Sequence, residues 1–161
     1  MQRLRELILR ELYGGLWHTT HFDRFARILK CGAILPEPDI LESERWGMSY
    51  VRSLGGVSLF DFEGFEPDAY SDKYPLSSWA DFIPPPTLWN SAIWIEIDRE
   101  CISTHLISGP NLLIQWKSEK SCKRLMPHIE ALHLGPLPKT AFKRAFFICK
   151  GDNEIHSIVC K

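Results

Sequence analysis

The chain has little of what usually announces a function. Its 161 residues hold 19 Lys and Arg against 20 Asp and Glu, a net charge of −1 with histidine neutral. That balance supplies no global basic field. Strong sequence-independent binding to duplex DNA, which needs many cations to neutralise phosphates, is therefore not implied. Local basic clusters do exist, at Lys117, Lys120, Lys123 and Arg124 and at Lys139, Lys143 and Arg144. The five cysteines, Cys31, Cys101, Cys122, Cys149 and Cys160, include no C-x-x-C pair. Their odd count and spacing argue against a disulfide framework or a structural zinc site, and free thiols in a reducing compartment are the simplest reading. No apolar run approaches the ~18 residues of a membrane span. The first residues carry Arg3, Glu6, Arg10 and Glu11 within their apolar pattern, unlike a signal peptide. Internal repeats, low-complexity tracts, a Walker A loop, a G-x-G-x-x-G turn and a G-x-S-x-G elbow are all missing. The expectation is a soluble, cytoplasmic, single domain over 1–161 with no membrane partner.

What is present is a core. Apolar residues make up 45% and charged residues 24%, the proportions of an ordinary folded protein. Residues 16–32 carry the clearest signal. Leu16 to Thr19 reads as a short strand with a polar end. Phe22, Phe25, Ile28 and Leu29 then recur at helical spacing, and Gly32 suits a helix C-terminus. The strand delivers His18, Thr19 and Thr20 beside a helix N-terminus, which favours anionic or hydroxyl-rich ligands. The alternative is that Thr20 or His21 only caps the helix and His18 is structural.

Elsewhere, residues 2–13 read as an amphipathic helix stopped by Gly14 and Gly15. Pro36, Pro38 and Asp39 mark a turn. Residues 39–54, with Arg45, Trp46, Tyr50 and Arg52, suggest no element. A strand is expected over 55–62, placing Ser58, Phe60 and Phe62 on one face. Residues 63–90, rich in aromatics and prolines including Trp89 and Pro84, Pro85 and Pro86, read as a long ordered loop with a short helix near 77–82. Strands are expected over 91–98, 126–134, 144–148 and 155–160. Without regular βα alternation, these elements favour an α+β domain with mainly antiparallel sheets.

Three segments carry polar groups suited to chemistry: His18-Thr19-Thr20, Arg52 with Gly55 to Ser58, and Glu130. A carboxylate in an otherwise apolar strand is expensive to bury and is placed inward mainly for a reason. The competing reading is a solvated strand face shared by His128 and Glu130. His128, Glu130 and His133 lack metal-ligand spacing, since His133 would point away from the other two.

Taken together, Leu16-Trp17-His18-Thr19-Thr20, the helix ending Ile28-Leu29-Lys30-Cys31-Gly32, then Arg52, Gly56-Val57-Ser58-Leu59-Phe60 and Ile129-Glu130-Ala131-Leu132 followed by Gly135-Pro136-Leu137-Pro138 resemble the ADP-ribosyltransferase superfamily. The nearest likeness is to its compact bacterial members, including DarT-like enzymes. The resemblance implies a split antiparallel β-sandwich with a few peripheral helices and NAD bound in the cleft as co-substrate. It implies that His18 bonds a ribose, with Thr19 and Thr20 in the same pocket. Ser58 would support the nicotinamide or ribose, and Phe60 or Tyr70 would stack on nicotinamide. Arg52 would hold the diphosphate or orient the acceptor, and Glu130 would be the catalytic carboxylate. It further implies transfer to a macromolecular acceptor, protein or nucleic acid, in the manner of a toxin with an antitoxin or immunity partner. Two positions depart from the family pattern: the usual tyrosine after the second strand is not evident, and His128 stands where arginine-modifying members carry Glu or Gln. An RNA 2′-phosphotransferase-like enzyme and a non-catalytic nucleotide- or partner-binding module are the alternative readings. The assignment requires His18, Ser58 and Glu130 to line one cleft.

Overall fold

A computed structural model describes residues 2–38, 47–83, 90–152 and 154–159. Asp39, Arg45, Trp46, Trp89, Cys160 and residues 84–86 lie outside the described residues. The chain runs α1 (Gln2–Leu12), β1 (Leu16–Thr20), α2 (Phe22–Cys31), β2 (Ala33–Ile34), α3 (Tyr50–Ser53), β3 (Gly56–Asp61) and α4 (Pro67–Lys73). It continues through β4 (Ser91–Ile97), β5 (Leu106–Ile107), α5 (Gly109–Ser118), β6 (Glu130–Leu134), β7 (Leu137–Pro138), β8 (Phe142–Cys149) and β9 (His156–Ile158).

The fold is α+β. Seven strands form one antiparallel sheet in the order β5-β6-β3-β1-β4-β8-β9, and β2 pairs with β7 in a separate ribbon. Both faces of the sheet are covered, which explains the long apolar runs. On one face, Trp17, Phe60, Trp94 and Phe146 pack with Leu4, Ile8 and Leu12 of α1 and the aromatics of α4 and its neighbours. On the other, Leu16, Val57, Leu59, Ile93 and Ile95 pack against Phe25 of α2 and Ile34. A smaller cluster joins Tyr50 and Val51 of α3 to Leu112 of α5 and Leu132 of β6.

The helix following β1 has both expected ends. His21 Nδ1 accepts the Asp23 N–H, and Gly32 closes the helix at φ 80°, a left-handed conformation that costs glycine little.

Two expectations need correction. The stretch 63–90 holds the expected short helix, as a 3-10 turn at Trp79–Phe82, but also a second helix, α4, where a loop is expected, nucleated by Pro67 at its first turn. The strand expected over 126–134 starts only at Glu130. Among the described residues no helix is long and apolar enough to cross a membrane.

Candidate functional site

The central strands part company partway along. β1 and β3 pair only at Leu16–Asp61 and Trp17–Phe60. Beyond Trp17, residues His18, Thr19 and Thr20 keep β4 as their ladder partner, opposite Ile95, Trp94 and Ile93. Residues Gly56 to Leu59 keep β6 as theirs. The His18 ring spans the opening, with Nδ1 3.0 Å from the Ser58 carbonyl oxygen. A carbonyl only accepts, so Nδ1 carries the proton and Nε2 of the neutral ring is an acceptor. Burial holds the His18 pKa below its ordinary value. The Ser58 carbonyl pulls it upward, and the positive charge of Arg24 pushes it further down. The imidazole is therefore neutral at pH 7.

A cavity of about 480 Å³ lies at this opening. β1 contributes His18, Thr19 and Thr20 to its wall, and β3 contributes Gly56, Val57 and Ser58. Arg24 and Arg27, three residues apart and so on one face of α2, line it together with Arg52 of α3. Three arginines lining one volume give it a cationic character suited to an anion, because the planar fork of arginine matches phosphate geometry. Arg52 Nε stands 3.7 Å from Glu37 Oε1 at the rim. Thr19 Oγ1 is buried without a hydrogen-bond partner among the described residues, and so is Nε1 of its cross-strand neighbour Trp94. Buried polar atoms are nearly always paired, so a hydroxyl left unpaired on a cavity wall fits a polar ligand or a water.

Glu130 opens β6 directly opposite Phe60, on the Trp17 face of the sheet. Ser58, two residues from Phe60, shares that face, and its hydroxyl donates to Glu130 Oε1 at 2.7 Å. The Met126 N–H donates to Oε2 at 2.9 Å. The carboxyl is only 5% exposed. Burial raises its pKa, against the downward pull of the Met126 and Ser58 hydrogen bonds.

The turn that carries Glu130 explains why the strand begins late. The Glu130 N–H returns to the Met126 carbonyl at 3.0 Å, and the Ile129 N–H reaches the Pro127 carbonyl at 2.7 Å. His128 adopts φ 62° and is exposed, so it does not share a strand face with Glu130. Gly109, at the start of α5, lies so close to the His128 carbonyl that a Cβ there would overlap it.

His18, Ser58 and Glu130 do not line one cleft, as the resemblance requires; the three segments touch only through Ser58. His18, Thr19, Thr20, Arg52 and Ser58 line the cavity. Glu130 does not reach its wall; it sits behind Ser58, and His18 leaves its strand on the opposite face of the sheet from Glu130. Phe60 is not on the wall either. It is buried among Phe62, Phe82 and Trp94, with ring centroids 5.1–5.9 Å away. Tyr70 is likewise core, its hydroxyl 3.0 Å from Ser77 Oγ. The apolar alternation of β3 already places Phe60 inward, and a fully packed aromatic is not free to stack on a ligand. Arg24 and Arg27 were not among the expected site residues. The signal for them was the helical phase, which turns residues 24, 27, 28 and 31 to one side.

No protein-family model, curated protein or solved structure matches the chain. The chemistry therefore rests on the side chains themselves. They offer a three-arginine anion wall, an imidazole acceptor, hydroxyls, and one buried carboxylate separated from the cavity by a single serine hydroxyl.

Proposed function

We propose that the protein is an ADP-ribosyltransferase that uses NAD and transfers ADP-ribose to a macromolecular acceptor. One observation carries this reading: the hydrogen-bonded series His18–Ser58–Glu130 at an opening of the sheet lined by Arg24, Arg27 and Arg52. The short pairing of β1 with β3 supports the split-sandwich form of the fold. The residues suit the co-substrate. Guanidiniums bind a diphosphate, the His18 Nε2 accepts from a ribose hydroxyl, and the unpaired Thr19 hydroxyl gains a partner.

NAD supplies an activated sugar whose leaving group is neutral nicotinamide. As the C1′–N bond lengthens, positive charge grows on the sugar, and a fixed carboxylate nearby lowers the energy of that state. This step requires the Ser58 side chain to rotate off Glu130 Oε1, which opens the carboxyl to the cavity and lets a ribose hydroxyl take its place there. The acceptor nucleophile then bonds to C1′ and gives its proton to Glu130. The raised pKa of Glu130 matches this proton-accepting role. The test is label transfer from NAD in mixed cell extract together with nicotinamide release. Loss of both in Glu130→Gln supports the reading, whereas no NAD binding by the wild type overturns it.

A second reading has its own observation. Three arginines and a neutral imidazole around one cavity also suit removal of a phosphate from an RNA 2′ position onto NAD. A 2′-phosphorylated oligoribonucleotide incubated with NAD separates the two: phosphate leaves the RNA only under this second reading.

A further inference from the structure

The segment that closes the cavity rim has the sequence Pro36-Glu37-Pro38, and both prolines line the cavity. Each proline fixes its own φ, and each restricts the residue before it to extended conformations. The backbone of Glu37 is therefore restricted by Pro38 and follows a residue of fixed φ. Its carboxylate lies 3.7 Å from Arg52 Nε, with 58% of the Glu37 side chain and 27% of the Arg52 side chain exposed. An acidic side chain thus stands beside Arg52 at the edge of a cavity that Arg24, Arg27 and Arg52 line.

We propose that Glu37 is a charge gate on this cavity: a ligand binds by displacing the Glu37 carboxylate from Arg52. The consequence is selectivity by charge. A ligand with one negative charge does no better at Arg52 than the resident carboxylate and is also repelled by it. A diphosphate presents several charges and can engage Arg24 and Arg27 at the same time. The gate therefore disfavours carboxylates and monoanions and admits polyphosphate ligands. It rests on the proposed anion-binding role of the cavity, not on any step of transfer chemistry.

Exposed ion pairs are weak, so the effect is modest. Removing the competing charge should tighten anion binding about two- to five-fold. The direct test is calorimetry with inorganic pyrophosphate and, as a neutral control, adenosine, on the wild type and Glu37→Gln. The expected result is a pyrophosphate Kd lowered about two- to five-fold in Glu37→Gln at low salt. The gain shrinks at about 0.5 M salt, where exposed charges are screened. Adenosine responds identically to both forms. Weaker or unchanged pyrophosphate binding in Glu37→Gln would overturn the proposal, as would an equal gain for adenosine or no pyrophosphate binding by either form. Failure of the NAD reading is a distinct outcome: pyrophosphate bound with the expected charge dependence, but no nicotinamide released.

Discussion

The Ser58 hydroxyl donates a 2.7 Å hydrogen bond to Glu130 Oε1 across the β3–β6 pair. The same serine accepts from His18 through its carbonyl. Ser58 thus joins a neutral imidazole on one face of the sheet to a buried carboxyl on the other, at the point where β1 and β3 stop pairing. Ser58→Ala leaves the Glu130 carboxyl short of a partner in a buried site. The expected loss of stability is about 1–3 kcal/mol, measured by urea denaturation at pH 7. Any pH–rate profile should also shift to higher pH, since one of the two hydrogen bonds holding the Glu130 pKa down is gone.

Glu130→Gln should fold. Its amide oxygen can accept the Met126 N–H, and its NH₂ can donate to a rotated Ser58 hydroxyl. The Glu130 pKa in the folded protein lies above its ordinary 4.5. Between these two values the folded state holds more protons than the unfolded state, so stability falls as pH rises through the folded pKa. Glu130→Gln removes that loss. Urea midpoints of wild type and variant should diverge in the variant's favour as pH rises above 4.5. A midpoint gap constant with pH would show that the carboxyl is not held against ionisation.

His18 behaves in the opposite sense. Its folded pKa lies below 6.5, so the unfolded state binds the extra proton first as the solution is acidified. Its contribution is full above pH 6.5 and is lost as pH falls toward the folded value. His18→Gln can still donate to the Ser58 carbonyl but does not titrate. It should flatten the decline in urea midpoint below pH 6.5 and weaken NAD binding, which loses the ring acceptor.

The constellation is unevenly legible in the sequence. His18, Ser58 and Glu130 were legible because each is a polar residue set in an apolar strand, an arrangement that costs free energy unless partners are supplied. The capped helix α2 was legible from its 3.6-residue period and from Gly32. The burial of Phe60 is not legible, because strand alternation names a face without saying what covers it, and here α1 and the aromatics of α4 and its neighbours do. The side on which Glu130 faces was hidden by a turn. Period 2 extrapolates smoothly back to Met126, but the reciprocal bonds between Met126 and Glu130, with His128 at φ 62°, break the strand there. Arg24 and Arg27 are not legible as site residues, because the parting of β1 from β3 that opens the cavity beside them is a long-range property of register.

The turn below Glu130 is itself open to test. In Gly109→Ala the new methyl group meets the His128 carbonyl, so the loop that supplies the Met126 N–H must move. Overpacking of this kind costs about 1–3 kcal/mol. Both the thermal midpoint and NAD binding should fall, although Gly109 is not on the cavity wall. Ala substituted at Gly151, which has open space around it but lies at φ 93° between β8 and β9, at the opposite edge of the sheet from β6, provides a strained control whose ligand binding should be unchanged.

Arg24→Ala, Arg27→Ala and Arg52→Ala should each weaken pyrophosphate binding about ten-fold, the scale of losing one charged hydrogen bond. Lysine at position 52 should restore only part of the loss, because an ammonium lacks the planar fork. Equal affinity in all three alanine variants and the wild type would remove the anion wall from the account.

The most direct measurement is nicotinamide release from NAD by the purified protein, with and without cell extract, alongside Glu130→Gln as a folded control. The account predicts release by the wild type that extract accelerates, and near-complete loss in Glu130→Gln with NAD binding retained. Release that is unchanged by Glu130→Gln, or NAD bound by both forms with no release, would contradict it.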